Sequence, residues 1–431
     1  MRFLLCWLAL GVLVSAADKP NVLFLLSDDH SYPYLSCYGD ANVRTPVLDK
    51  LAGEGIKFRR FFTSAPQCVP SRAAYLSGRS PVAARITRFS SPLPRDVVTF
   101  PEVLKQEAGY YVGVVGRSYH LDGSGKGDEG LGKFLADGGY KTFPERFDVV
   151  QGGSDKEAVE QSAAFLEGRP KDKPFCLWVN FSDPHHAWTA PVSYRPDPAS
   201  LKLPAHVPDL PAVREQYADY CAEVNRVDET VGKVLALLDR LGLAKDTLVV
   251  FAGDNGQALP HGKGSLYDPG CNVPFVVRWP GVVKAGSETD ALAANIDVVP
   301  TLLAATEAPA PKNEIDGVSF LSVLKSGQPT SRDSFAYYYG DRLEAVRKGK
   351  WKLHLPHAYR SYVDMIPAEL DGYPAKTHQR QIGFSLYDLE KDPGEKEDLA
   401  ADQPELVKEL QALAESERKR LDAGKRPVGR L

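Results

Sequence analysis

The chain carries short, unbroken apolar runs set apart by polar and helical stretches. Residues 22–26 (VLFLL), 112–115 (VGVV), 175–179 (FCLWV), 248–252 (LVVFA) and 274–279 (PFVVRW) lack the polar alternation of a half-solvated strand. Such runs suit strands buried on both faces, as in a parallel sheet covered by helices. Helical patterns fall between them. Thr45-Pro46 reads as an N-cap with proline in the first turn, followed by Leu48 and Leu51 and closed at Gly53. Thr99 with Glu102, and Ser154 with Glu157, have capping-box spacing; Gly109 is placed to end the first of these helices. Residues 213–241 keep apolar positions at mostly helical spacing through Tyr217, Cys221, Val224, Val231, Val234 and Leu238, up to Gly242. Strands alternating with helices predict an α/β fold: a large, mostly parallel sheet sandwiched by helices.

After about residue 325 the pattern changes. Residues 335–339, 343–347, 351–355 and 386–389 read as short strands separated by turn residues such as Gly340 and Gly349. Asp402 with Glu405 then reads as the cap of a last helix bearing Leu406, Val407, Leu410 and Leu413, with a charged end from Arg418 onward that is expected to fray. The expectation is a small C-terminal antiparallel sheet plus helix, over residues 326–431.

Composition narrows the class. The chain has 431 residues, 43% hydrophobic and 25% charged, with a formal net charge of −4. These values exclude a wholly disordered or collagen-like chain. The mild negative balance argues against nucleic acid as a partner, since phosphate binding needs clustered Lys and Arg. Residues 1–17 combine Arg2, an apolar run and small residues at Ser15-Ala16-Ala17, the pattern of a cleaved signal peptide. The run is shorter than the roughly 20 residues that span a bilayer. An exported protein with no membrane partner after cleavage is expected. Of six cysteines, Cys6 lies in that leader, which leaves Cys37, Cys68, Cys176, Cys221 and Cys271. An odd number in an exported chain leaves at least one unpaired. No CxxC pair points to a thiolate zinc site.

Polar residues follow the buried runs. Ser27, Asp28, Asp29 and His30 follow the first; Gly116, Arg117 and His120 the second; Asp183, His185 and His186 the third; Gly253, Asp254 and Asn255 the fourth. In an open α/β sheet, ligands bind beyond the carboxyl ends of the strands. One such cluster is an ordinary turn; four together point to a site. Asp28, Asp29, Asp254 and Asn255 offer oxygen donors only, which favours a hard cation such as Ca²⁺ or Mg²⁺. In the segment from Pro66 to Arg79, Pro70 suits a first helical turn, placing Cys68 at a helix N-terminus where an anion is favoured, with Arg72 one turn on.

Cys68-Val69-Pro70-Ser71-Arg72 followed by Ser77-Gly78-Arg79 resembles the CxPSR…TGR signature of the sulfatase family, within the alkaline-phosphatase-like superfamily. The resemblance continues in order along the mature chain. Residues 21–29 and 252–256 resemble the two metal motifs. Gly116-Arg117-Ser118-Tyr119-His120 resembles GKxH or GKxxH, and Asp183-Pro184-His185 resembles DPHxP. Residues 262–270 resemble GKxxxYEGG, and Leu386-Tyr387-Asp388-Leu389 with Asp392-Pro393 and Leu399 resembles the C-terminal LYDL…DP…NL segment. Three departures stand out. Arg117 replaces the family lysine, Asp268 the glutamate of YEGG and Pro269 the glycine after it.

The resemblance implies a catalytic domain over residues 18–325 with a C-terminal subdomain over 326–431. It implies a sulfuric ester hydrolase in which a maturation enzyme oxidises Cys68 to Cα-formylglycine. The aldehyde is hydrated to a diol, one hydroxyl attacks sulfur, and the second then expels sulfate from the sulfoenzyme. Asp28, Asp29, Asp254 and Asn255 are implied to bind Ca²⁺ (or Mg²⁺), and Arg72 to hold the diol. Arg117 is implied to contact the formylglycine or sulfate oxygens, and His120 to be the base. His185 or Lys263 is implied as the acid for the leaving group, with Lys263 also clamping a sulfate oxygen. His30 and His186 face substrate or serve as hydrogen-bonded support. A sulfated carbohydrate, such as a glycosaminoglycan or an algal polysaccharide, is the expected substrate, cleaved as a sulfate ester or sulfamate. Tyr337-Tyr338-Tyr339 and Trp188 offer faces for sugar rings, or simple packing. The expected location is secreted or periplasmic, or lysosomal in a eukaryote. The sequon at Asn180 sits at a strand end beside the site and is expected to be buried and unmodified. Two alternatives remain: a formylglycine-type phosphodiester or phosphonate monoester hydrolase, and a catalytically silent Ca²⁺- or glycan-binding protein. The second requires loss of groups that are all present.

Overall fold

The computed structural model describes residues 19–86, 93–117, 143–204, 206–259, 261–312, 314–361 and 378–423. An eight-stranded sheet runs through the large part. In spatial order its strands are Val149–Val150, Tyr111–Gly116, Phe175–Asn180, Asn21–Ser27, Thr247–Gly253, Phe275–Arg278, Ile56–Phe58 and Ser287–Thr289. The first five are parallel. Phe275–Arg278 pairs antiparallel with both its neighbours, whereas its apolar run alone suggested another parallel strand. A fully buried strand is apolar whichever way it points, so composition does not report direction. Ile56–Phe58 and Ser287–Thr289 were missed because a three-residue strand carries almost no periodicity.

The central strand Asn21–Ser27 divides the core. Val22, Phe24 and Leu26 face one layer with Trp178, Tyr75 and the helices Cys68–Ser77, Phe100–Glu107 and Val298–Ala305. Leu23 and Leu25 face the other, against Val227, Val231 and Val234 of the helix Pro211–Arg240 and Phe165 of the helix Asp155–Gly168. The Phe24 and Trp178 rings stack at 4.4 Å. Alternate residues of one strand thus supply two cores, which requires an apolar run without polar gaps. Parallel neighbours need long crossovers, and helices supply them. The two capping boxes are formed, at Thr99 with Glu102 and at Ser154 with Glu157.

A four-stranded antiparallel sheet follows, in the order Ser334–Tyr339, Arg342–Lys348, Trp351–His354 and Ser385–Asp388. Val346, Leu353 and Leu386 pack on Leu410 and Ala414 of the last helix, Pro404–Ala423. That helix starts one residue later than the Asp402 cap predicted. Pro404 takes the first helical position, and the carbonyl of Gln403 accepts the first bond, from Val407 at 3.0 Å. The stretch from Arg418 to Ala423 is helical rather than frayed. Arg418 pairs with Glu415 at 2.9 Å, and Arg420 with Glu417 at 2.8 Å and Asp316 at 3.0 Å. The other face of the sheet, through Phe335, Tyr337 and Ala345, packs on Phe62, Ala74 and Leu266 of the large part. Tyr337 and Tyr338 are buried and serve packing.

A buried ionic cluster joins the two parts. Glu395 accepts from Lys352 Nζ at 2.9 Å, His354 Nε2 at 2.9 Å and the backbone N–H of Asp268 at 2.7 Å. Lys352 also reaches Asp268 at 3.0 Å. Burial alone would raise the Glu395 carboxyl, but Lys352 and His354 outweigh it and hold it near 2. An unfolded glutamate titrates near ~4.3. The folded group is depressed, so its stabilising contribution is complete above the unfolded value and is lost as pH falls towards 2. Glu395→Gln is expected to cost about 3 kcal/mol at neutral pH, the low end for breaking a buried pair, because the buried Lys352 charge then keeps only Asp268 as a carboxylate partner. It should also flatten part of the acid limb of stability. Urea unfolding at stepped pH checks both.

Candidate metal centre and catalytic cluster

The parallel register brings four strand ends to one edge. Ser27 lies opposite Gly253, and Asn180 opposite both Leu26 and Gly116. The backbone laces these ends together: Asp28 N–H donates to Asp183 O at 3.2 Å, and Asp254 N–H to Ser27 O at 3.0 Å. Successive residues of a strand point to opposite faces. Asp29 breaks that alternation with φ of 61°, in the left-handed region that aspartate tolerates better than most residues. Both Asp28 and Asp29 then reach one place. At Gly116, φ is 78° and an added Cβ would lie 2.0 Å from the Asn180 carbonyl oxygen, so only glycine fits. This turn aims Arg117 inward, with its Nε 2.9 Å from Asp28 Oδ2.

Cys68 is the first residue of the helix Cys68–Ser77, all of which is buried. Its Sγ lies 3.2 Å from Asp28 Oδ1 and 3.7 Å from Asp29 Oδ1. A helix start favours an anion, but here burial, reinforced by Asp28, pushes the thiol well above its usual value. Arg72, one turn on, is fully buried. It gives Nε to Asp254 Oδ2 at 2.8 Å and Nη1 to Asn180 Oδ1 at 3.2 Å, and its Nη2 lies 3.1 Å from Asp28 Oδ2. Burial would lower its pKa; Asp254 and Asp28 together raise it instead. Burial likewise works against the charge of Asp28, and Arg117 and Arg72 reverse that, leaving its carboxyl well below the usual range. Asp254 goes the other way, up to about 7, through burial and the neighbouring Asp28 charge.

Lys263 Nζ lies 2.7 Å from Asp29 Oδ1 and 2.9 Å from Oδ2. Burial opposes its charge, but Asp29 and its neighbours hold it well above the usual lysine range. His185 Nε2 stands 3.7 Å from Asp29 Oδ2, with the side chain one-fifth exposed (20%). Donor atoms of Asp28, Asp29, Cys68 and His185 all lie within 4.8 Å of one another. Asp254 and Asn255 flank this group. Asp254 Oδ1 accepts from Asp29 N–H at 2.9 Å, and Asn255 Nδ2 donates to Asp29 Oδ1 at 2.8 Å. Asn255 Oδ1 is buried with no hydrogen-bond partner among the described residues. An orphaned amide oxygen beside three buried carboxylates is a donor set that fits a hard cation. His120 lies outside the described residues.

His30 is fully buried, with Nδ1 3.1 Å from Ser27 Oγ and Nε2 2.9 Å from Tyr34 O. Burial pushes it down to about 4, so it is neutral and braces the turn. His186 is half-buried against the Trp188 ring at 5.5 Å. Asp268 turns away from the cluster, towards Lys352 and Arg347 of the C-terminal sheet. Asn180 was not singled out as a site residue. It is completely buried, accepts from both Arg72 and Trp178 Nε1, and donates to Val115 O at 3.2 Å. The available signal was a polar residue ending an otherwise apolar strand.

The sulfatase family model matches residues 20–308, and a second, the C-terminal region of aryl-sulfatase, matches residues 330–431. Human arylsulfatase A is 31% identical over 96% of this chain and 90% of its own length. An N-acetylglucosamine-6-O-sulfatase of Bacteroides thetaiotaomicron is 26% identical over 74% of each chain. Among solved structures, BT4656 in complex with its substrate D-glucosamine-2-N,6-O-disulfate aligns with a TM-score of 0.71 at 21% identity, over 94% of this chain and 98% of that one. PsFucS1 sulfatase from Pseudoalteromonas aligns with a TM-score of 0.72 at 20% identity, over 96% and 92%. These two share the fold: a mostly parallel sheet between helices with a small antiparallel sheet beyond it. Matched by its family model over most of its length, the chain belongs to the sulfatase family of sulfuric ester hydrolases.

Proposed function

We propose that this protein is an exported sulfatase that removes sulfate from a carbohydrate, using a formylglycine made from Cys68 and a bound Ca²⁺. The observation that carries the reading is the setting of Cys68. It is a buried, unpaired cysteine at a helix start, surrounded by Asp28, Asp29, Arg72 and Lys263. Its thiol is held protonated there, which suits a residue that must be converted before it reacts. Once converted, the hydrated aldehyde supplies an oxygen nucleophile and a second hydroxyl for release of sulfate.

Asp28, Asp29, Asp254 and Asn255 are the residues that would hold the cation. A dication there adds positive charge facing the sulfate oxygens. With the cation keeping Asp254 ionised, the chain's own charges would balance, Asp28, Asp29 and Asp254 against Arg72, Arg117 and Lys263. The loaded site is therefore net positive, as an anionic ester requires. Arg72 holds the nucleophile's hydroxyl, and Arg117 and Lys263 bind sulfate oxygens. Arg117 keeps its proton throughout, since a guanidinium does not release one near neutral pH. His185, at the partly open side, gives the proton to the leaving oxygen, and His120 serves as the base. The names of BT4656's substrate and of the Bacteroides relative favour an amino-sugar sulfate, and half-buried Trp188 offers a sugar-stacking face. Export rests on the signal-like pattern of residues 1–17; no helix among the described residues is long and apolar enough to cross a membrane.

After coexpression with a maturation enzyme, the tryptic peptide bearing Cys68 should show the mass loss of thiol-to-aldehyde conversion, and Cys68→Ala should lower kcat on 4-nitrophenyl sulfate by more than about a thousandfold. An unmodified peptide from competent cells, or a fully active Cys68→Ala protein, sinks the reading. Dialysis against a chelator should lower both activity and the thermal midpoint, with Ca²⁺ restoring both; Asn255→Ala should raise the Ca²⁺ concentration needed.

A further inference from the structure

The segment that carries His185 is fastened to the rest of the protein by Asp155, Glu223 and Arg226, three side chains given no role so far. At its start, Asp155 accepts the backbone N–H groups of Ser182 at 2.5 Å and Asp183 at 3.1 Å. At its end, Glu223 Oε1 accepts the N–H groups of Thr189 and, at 2.7 Å, Ala190. Arg226, one turn beyond Glu223 on the helix Pro211–Arg240, spans the two ends. Its Nε and Nη2 grip both oxygens of Asp183 at 2.7 Å each, and its Nη1 reaches Thr189 Oγ1 at 3.2 Å. Nη2 also donates to Glu223 Oε2. Within the segment, Trp188 Nε1 donates to Pro184 O at 3.1 Å.

We infer that Glu223 and Arg226 are positioning residues, a staple that closes the 183–190 loop and fixes the imidazole of His185 over the cluster. Glu223 is completely buried and Asp183 nearly so. A buried carboxylate is retained only with partners, and here those partners are the loop's own backbone and the bridging guanidinium. The fork geometry matters. Arginine can hold Asp183 with two parallel bonds while a further N–H reaches Thr189, and a lysine cannot. Without these bonds, the loop between the strand ending at Asn180 and the helical turn at Val192 would sample positions that misplace a proton donor by about an ångström or more, which is costly in rate. The inference rests on the reading of His185 as the acid for the leaving group.

A double-mutant cycle tests it. Arg226→Met, His185→Ala and the double variant are compared on phenyl sulfate and 4-nitrophenyl sulfate, whose leaving groups differ in their need for a proton. Arg226→Met is expected to lower kcat/KM on phenyl sulfate about tenfold, and on 4-nitrophenyl sulfate less than about threefold. It should add no further loss in the His185→Ala background. Arg226→Lys should recover only part of the loss. Glu223→Gln, which keeps an acceptor for the loop N–H groups, should show the same coupling to His185 and serves if Arg226→Met does not fold. Additive losses in the cycle overturn the staple. If His185→Ala alone costs equally on both esters, the acid reading of His185 fails. In that event coupling in the cycle still supports the staple, and additivity still overturns it.

Discussion

Three carboxylates at the dry end of a sheet are the constraint from which the rest of this molecule follows. Asp28, Asp29 and Asp254 are all at most 1% exposed. Each buried ion costs several kcal/mol unless it is paired. The compensating charges come from three separate places: Arg72 from a helix, Arg117 from a neighbouring strand end and Lys263 from a loop. That arrangement requires parallel strands whose ends align, a left-handed residue at Asp29 and a glycine at Gly116. The buried faces of the sheet provide the apolar energy that offsets these local costs.

The same electrostatics decide what Cys68 can be. Cysteine nucleophiles in hydrolases sit beside cations or an imidazolium that lower their pKa. At Cys68 burial and the Asp28 carboxylate raise the thiol by more than the Lys263 charge lowers it. The nearby Arg72 charge is balanced by Asp254 at 2.8 Å and Asp28 at 3.1 Å.

The C-terminal sheet is coupled to the site region through chemistry of the same kind. Asp268, at the position of the family glutamate, points to Lys352 and Arg347, and its own N–H is held by Glu395. The shorter aspartate thus helps anchor the loop that continues from Lys263. A second anchor, at the opposite side of the cluster, is the pairing of Glu223 and Arg226 with the His185 segment. Catalytic groups on loops are precise only when such supports hold them.

Apolar runs, capping boxes and oxygen-rich strand ends were enough to read an α/β sandwich and a gathering of Asp28, Asp29, Asp254 and Asn255 at one sheet edge, since apolar runs and helix initiation are local properties of a chain; the family resemblance joined Cys68 and Arg72 to it. Family resemblance then named the chemistry. Strand direction at Phe275–Arg278 and the short strands Ile56–Phe58 and Ser287–Thr289 were decided only by tertiary pairing, because a buried strand looks alike in either direction and three residues hold no period. Pairing partners were hidden for the same reason. Glu223 and Arg226 carry no mark in their own surroundings, and Asn180 only that it is a polar residue ending an apolar strand. Their roles arise from contacts across 108 residues for Asn180 with Arg72 and 43 for Arg226 with Asp183, which exist only once the sheet is assembled.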